Sequence, residues 1–241
     1  MEPACTLALS ANFGSVERWR EAFAEGAQAS AVEAGQMQMV FQPSEGTLVN
    51  QWTADPAHAL AGGVPILALE MRDHLSGPDA AAHIDAIMAH IDWAAVYARY
   101  QHAVHAASEP HGATTNEIGD ALMIDVRRAG VFERAGTLIP GARWRDPATV
   151  GTWAAELPTD RAVLVYCVYG HEVSRATALR LRAAGLNARY LQGGIDGWQA
   201  AGRPTQTKGD TVNLHVRHGV SSQPPEGAPV PFEAARQEAT P

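Results

Sequence analysis

Apolar positions along this chain change period several times, and each change marks an element. Residues 6–12 (Thr6-Leu7-Ala8-Leu9-Ser10-Ala11-Asn12) alternate with the two-residue period of a strand. Ser15 then stands as a cap before a helical stretch from Val16 to about Ala31, with Trp19, Phe23 and Ala27 on one face. Gly35 ends that stretch. Gln36–Gln42 and Thr47–Thr53 read as two strands around the turn cluster Pro43-Ser44-Glu45-Gly46. Asp55-Pro56 opens a short helix in the order cap, then proline, and Ile66–Met71 reads as a further strand. A longer helix begins at Gly77-Pro78-Asp79 and runs to about Ala107, with Ile84, Ile87, Met88, Ile91, Ala95 and Ala98 as its apolar stripe.

The second half has a different rhythm. Strands at about 121–126, 162–167 and 188–192 alternate with helices over Arg128–Ala135, from Asp146-Pro147 to near Leu157, and over Arg175–Ala184 with Gly185 as its stop. That alternation predicts an α/β fold built on a parallel sheet. Ser108-Glu109-Pro110-His111-Gly112 reads as the linker. The expected organisation is an α+β domain over 1–108, an α/β domain over 112–205, and a polar, Pro-rich tail over 206–241. Within the tail Gly209–Gly219 reads as one added strand and Ser221–Pro241 as disordered. In the first domain the order β-α-β-β-α-β is the split pattern of a ferredoxin-like fold.

Charge separates the two halves. Residues 1–111 carry four Lys and Arg against thirteen acids, whereas residues 112–205 carry eleven Arg against nine. The second half is therefore the part suited to small anions. No basic run resembles a nucleic-acid arm, and no apolar run approaches the ~20 residues a membrane helix needs, so neither partner is expected. The first residues carry no basic, apolar leader pattern, so a reducing cytoplasm is the default location. Cys5 and Cys167 stand in contexts too different for a disulfide framework. His83 with His90, and His102 with His105, share helix faces, but no carboxylate–histidine metal motif accompanies them; solvated or capping roles are favoured, and no metal is expected.

Cys167 concentrates the chemistry. Ala162–Tyr166 before it is a buried strand by composition, and Val168-Tyr169-Gly170-His171-Glu172-Val173-Ser174 after it leads into a helix. A thiol at a strand's carboxyl end, below a helix N-terminus, meets converging backbone N–H groups that favour an anion. Such a site stabilises a thiolate nucleophile. Gly170 supplies a left-handed turn that lets amides point inward. Ser174 reads as the N-cap of the helix, its hydroxyl also able to bond the sulfur. His171 and Glu172 stay open between contacting a donor, shuttling a proton and facing solvent; a carboxylate there would oppose an anion. Cys5 reads as a small hydrophobe.

The region around Cys167 resembles the rhodanese family of sulfurtransferases over about residues 112–205. Leu122-Met123-Ile124-Asp125-Val126-Arg127 is similar to the family's opening strand, and Ile139-Pro140-Gly141-Ala142 to its turn. Tyr190-Leu191-Gln192-Gly193-Gly194, Trp198 and Gly202-Arg203-Pro204 are similar to its closing motifs. The resemblance implies Cys167 as catalytic residue, the loop Val168–Ser174 as substrate-binding, and Asp125 with Arg127 as bracing for the loop. It implies a persulfide carried on Cys167, a small sulfur donor such as thiosulfate, a thiol or cyanide-like acceptor, and no cofactor. Two departures stand out, one in the cysteine loop and one between Asp125 and Pro140, a segment about two residues longer than the family's, with Thr137 and Leu138 where the family usually has one His. The loop is a residue longer than the family's commonest one, and Val168 takes the place of a basic residue. A loop of this length is also found in dual-specificity phosphatases, but Val173 occupies the arginine position of their Cys-x5-Arg, and valine cannot grip phosphate. The other reading is a sulfur carrier or sensor without turnover. The first domain is loosely similar to ferredoxin-like dimeric α/β-barrel domains, which implies a homodimer.

Overall fold

A computed structural model describes residues 1–29, 35–55, 62–71 and 80–208. The first surprise is residue 6–12, which is helical: α1 spans Pro3–Phe13, with Pro3 in its first turn. Its Ala- and Leu-rich composition favours a helix, and a seven-residue alternation is too short to overrule that. Cys5, Ala8 and Leu9 are buried at helical spacing, and the Asn12 side chain accepts the Leu48 amide at 3.0 Å. Helix α2 (Val16–Ala29) follows as expected, with the Ser15 hydroxyl accepting the Arg18 amide and Trp19, Phe23 and Ala27 buried.

Strands β1 (Gly35–Gln42), β2 (Thr47–Thr53) and β3 (Val64–Met71) form an antiparallel sheet in the order β2-β1-β3. Met37, Met39 and Phe41 of β1 point into one core, where they meet Trp19, Phe23 and the helices that follow. The expected long helix is two: α3 (Ala80–Ala89) and α4 (Trp93–Ser108). Asp92 breaks it, accepting the Ala94 and Ala95 amides at 3.1 Å as an N-cap. The apolar stripe runs through the break, so periodicity alone conceals it. Among the described residues the order is α-α-β-β-β-α-α, and the ferredoxin-like expectation is wrong. The homodimer expectation rested on that fold and loses its basis with it. Pro56 and Gly77-Pro78-Asp79, where the expected helices begin, lie outside the described residues.

A short 3₁₀ turn over 109–111 carries α4 directly into the second sheet. Its strands are β4 (Gly112–Ala113), β5 (Leu122–Asp125), β7 (Arg143–Trp144), β8 (Val163–Tyr166) and β9 (Ala188–Leu191), parallel in the order β4-β9-β8-β5-β7. Between them come α5 (Ala129–Arg134), β6 (Thr137–Leu138), α6 (Val150–Trp153), α7 (Glu172–Ala183) and, after β9, α8 (Gly194–Ala200). Both sheet faces are covered, one by α6 and α7 and the other by α8 with Leu138 and Ile139. Strand β10 (Gln206–Thr207) pairs with β6, so the first residues of the expected tail are ordered. The expected strand at 209–219 and the disorder expected at 221–241 fall outside the described residues.

Residues 1–208 pack as one unit. Helix α7 explains why: Ala178 and Leu181 face the parallel sheet, while Leu179 enters the core of the first half. Gly46 adopts φ +66° against it, and a Cβ there would lie 2.7 Å from the Leu179 Cβ. Ser108, within the expected linker, is fully buried and bonded by the Arg175 guanidinium at 3.2 Å. Among the described residues no helix is long and apolar enough to cross a membrane.

Candidate active site

Strand β8 is buried along its whole length and delivers Cys167 at its carboxyl end, 6% exposed. The backbone then turns in four residues. Gly170 takes φ +71°, and a Cβ on it would collide with the Leu191 carbonyl at 2.6 Å and the Gly193 amide at 2.8 Å. Glycine is therefore required. The start of the loop is held by α8: the Ile195 amide donates to the Cys167 carbonyl and the Asp196 amide to the Val168 carbonyl, each at 3.0 Å. Gly194, with φ +59°, makes that approach possible.

Helix α7 begins at Glu172, earlier than expected, with His171 as its N-cap and no side-chain cap bond. Ser174 is thus inside the first turn rather than at the cap, a correction to the sequence reading. Its hydroxyl donates to the His171 carbonyl at 3.2 Å, with the Cys167 sulfur also 3.2 Å away. The sulfur consequently sits beside the uncapped amino end of a twelve-residue helix, where backbone dipoles favour negative charge.

Asp125 and Arg127 form a buried pair behind the loop. The Arg127 Nε donates to both carboxylate oxygens at 3.0 and 2.9 Å, and its Nη2 reaches the Thr137 carbonyl at 2.9 Å. That pairing ties β5 to β6 and leaves the Arg127 charge neutralised. Arg128 is different. It lines the same cleft as Cys167, half-buried, and its guanidinium makes no hydrogen bond or ion pair among the described residues. The sequence reading passed over it, seeking a basic residue beside the cysteine; the signal was the second arginine of Asp-Val-Arg-Arg at the carboxyl end of the adjacent strand. The cleft has a volume of about 130 Å³, room for a small anion given that a water molecule's share of liquid is ~30 Å³.

The loop side chains divide. Val168 and Val173 are half-buried in the cleft wall. Tyr169 is 56% exposed, its ring 5.6 Å from the exposed His171, which lies 6.1 Å from His105 of α4. Burial and the nearby Arg175 guanidinium hold the His105 ring below its ordinary pKa. Glu172 turns out to be neither solvated nor free. It is 6% exposed, and its carboxylate accepts the Tyr97 hydroxyl at 2.6 Å and the Gln101 amide at 3.2 Å, both from α4. Burial raises its pKa, but the Tyr97 hydroxyl, its own backbone amide and Gln101 outweigh burial and leave it below the usual carboxylate value. Arg175 adds a second tie: its Nε donates to the Gly170 carbonyl at 2.9 Å while its guanidinium sits 4.2 Å over the Tyr190 ring. Cys5 lies in the core of the first half, its thiol pushed up to about 11 by burial, which makes it a poor nucleophile.

Comparison with known proteins finds two matches along the chain. Residues 113–201 match the family described as rhodanese-like domain, and residues 2–99 match the C-terminal domain of iron/manganese superoxide dismutases. A curated superoxide dismutase [Fe] of Cupriavidus metallidurans is 41% identical over 108 residues, covering 43% of this chain and 55% of that protein. Superoxide dismutase [Mn] 2 of Halobacterium salinarum is 37% identical over 112 residues, covering 43% and 54%. The chain spans about half the length of these relatives. Among solved structures, a rhodanese-related protein from Thermoplasma volcanium is 20% identical with a TM-score of 0.36, covering 40% of this chain and 97% of that one.

The dismutase names imply an iron or manganese ion. Among the described residues no three His, Cys, Asp or Glu side chains come together to share one. His83 on α3 and His90 just beyond it are exposed, and the His90 Nδ1 pairs with the Ala86 carbonyl. The described donors do not fit such an ion, and the chemistry below uses none. At family level the cysteine-bearing half points to sulfurtransferase-type chemistry, in a family where many domains are non-catalytic. Residues 113–201 are thus similar to rhodanese-like domains, and they are built against a segment similar to the C-terminal domain of iron/manganese superoxide dismutases.

Proposed function

We propose that the protein moves sulfane sulfur from an anionic donor such as thiosulfate to a nucleophilic acceptor through a persulfide on Cys167. One observation carries the reading: the Cys167 sulfur lies 3.2 Å from the Ser174 hydroxyl, in the first turn of α7, and opens on a cleft walled by the unpaired Arg128. The Cys167 thiolate attacks the outer sulfur of thiosulfate. A new S–S bond forms, the donor's S–S bond breaks, and sulfite leaves with the electron pair. Arg128 meets the sulfonate with a charge-assisted hydrogen bond, taking the part that Val168 cannot. The persulfide's negative outer sulfur is stabilised by the α7 amides, as an oxyanion hole stabilises oxygen. A thiolate or cyanide then attacks that sulfur, and Cys167 departs as thiolate, ready for another cycle.

Intact mass after incubation with thiosulfate tests this. Wild type should gain one sulfur atom, Cys167→Ser none, and Cys5→Ser the same as wild type. An adduct that maps to Cys5, or survives in Cys167→Ser, sinks the assignment. The low exposure of Cys167, with Ala4 of α1 in the cleft wall, favours a second reading. Here the protein carries or senses sulfur for a partner and barely turns over. Steady-state turnover with thiosulfate and cyanide separates the two, since loading without turnover selects the carrier.

A further inference from the structure

Glu172 presents a physical problem that the dismutase-related half solves. Besides Cys167 and apolar side chains, the cleft is lined by Arg127, Arg128, Tyr169, His171 and one carboxylate, Glu172. A free carboxylate there repels any anion approaching the sulfur, by an amount that grows as water is excluded. Yet Glu172 is ionised more readily than an ordinary glutamate despite its burial. The largest cause that lowers it stands on the other half of the chain, ahead of its own backbone amide. The Tyr97 hydroxyl donates to Oε1 at 2.6 Å, Gln101 donates to Oε2 at 3.2 Å, and Gln101 also bonds the Tyr97 oxygen at 3.0 Å. Two residues one helical turn apart on α4 thus grip both oxygens of a side chain 75 and 71 positions later. Donors on both oxygens delocalise the charge toward α4 and fix the side chain's direction.

We propose that Tyr97, assisted by Gln101, is a positioning residue for the Cys167 site: its hydroxyl holds the charged Glu172 carboxylate turned toward α4, out of the path of an anion approaching the sulfur. The dismutase-related half then has a role in the chemistry of the rhodanese-like half without touching its substrate. This inference deepens the sulfur-transfer reading and rests on it for the identity of the anion, but the electrostatic effect is measurable without sulfur transfer.

The test is the alkylation of Cys167 in the full chain by iodoacetate, an anion, and iodoacetamide, its neutral counterpart, followed by peptide mapping. Tyr97→Phe should lower the iodoacetate-to-iodoacetamide rate ratio at Cys167 about three- to fivefold, because the carboxylate, charged already in the wild type, is released to turn toward the cleft. Tyr97→Phe with Glu172→Gln should restore the ratio to the wild-type value or above. With thiosulfate the single variant should lose kcat/KM mainly through KM, while a neutral organic trisulfide should be unaffected. A merely structural role would slow both alkylating reagents alike and would not be rescued by the second substitution. An unchanged ratio, or a lowered ratio that the double variant fails to restore, overturns the proposal. A wild type that takes up no sulfur, together with the lowered ratio, overturns the transfer reading and leaves the role of Tyr97 standing.

Discussion

Leu179→Ala probes whether α7 joins the two halves into one cooperative structure. Leu179 is 4% exposed and belongs to the core that holds Trp19, Phe41 and Tyr100, although its helix also covers the parallel sheet. Truncation removes three carbons, about 2.4 kcal/mol of transfer free energy at ~0.8 kcal/mol each. The cavity adds to this, because the facing Gly46 backbone is already in contact and in a left-handed turn that has little freedom to shift. The expected loss is about 3–4 kcal/mol, inside the range of buried leucine truncations. For a unit of this size that lowers Tm by roughly 6–16 °C. Denaturant unfolding gives the total, and hydrogen exchange resolves where it falls. Amides of β1 in the first half and β8 in the second should lose the same protection, since both open only through global unfolding. A loss below about 1 kcal/mol, or protection lost in β8 alone while β1 keeps its own, would refute a shared core.

Other consequences can be checked separately. Arg128→Gln should lower thiosulfate kcat/KM about tenfold, near the low end for a hydrogen bond to a charged group because the side chain is half-exposed; the defect should shrink at high salt, and an equal defect with a neutral donor would argue against the assignment. Glu172 has a depressed pKa when folded, so its stabilising contribution is complete above the unfolded carboxylate value of ~4.3 and is lost as pH falls through the folded one. Glu172→Gln should therefore flatten the acid limb of the stability curve, and an unaltered limb would place that proton uptake elsewhere. Residues 112–205 expressed alone would expose Leu179 and Ala176 and leave Arg175 without Ser108, so that fragment should be poorly soluble; a stable monomer would show that the rhodanese-like half is self-sufficient.

The cysteine loop was legible because its determinants are local. A β-branched run, a glycine that must turn left-handed and a helical composition afterwards are all read within twenty residues of Cys167. Errors arose where local signals were ambiguous or shared. Seven alternating residues in α1 served a helix as well as a strand, and Ser174 had the composition of a cap while His171 held the position. The break at Asp92 was hidden because the apolar stripe runs on through it. What no local pattern encodes is partnership. Tyr97 sits outside the apolar stripe of its helix, and nothing in its neighbourhood signals Glu172. The same holds for Arg128, which becomes part of the cleft only when β5 and β8 lie side by side, with Asp125 opposite Tyr166.

The way α7 is used explains why a rhodanese-like half and a dismutase-related half form a single unit. In an open α/β sheet a covering helix has one apolar face and one wet face. Here the outward face of α7 also bears Leu179 and Ala176, both packed on the first half. Its polar residues are occupied too: Glu172 by Tyr97, Arg175 by Ser108 and the Gly170 carbonyl, and Arg180 by the Ala11 carbonyl at 3.2 Å. Three of these contacts cross between halves, and two of the residues flank the turn that presents Cys167. A shift of α4 therefore reaches the active loop through two rigid ties, one on the carboxylate that starts α7 and one on the carbonyl of its hinge glycine. The loop geometry depends on the first half by construction, which is why substitutions at Tyr97 or Ser108 should register at the sulfur although neither side chain lines the cleft.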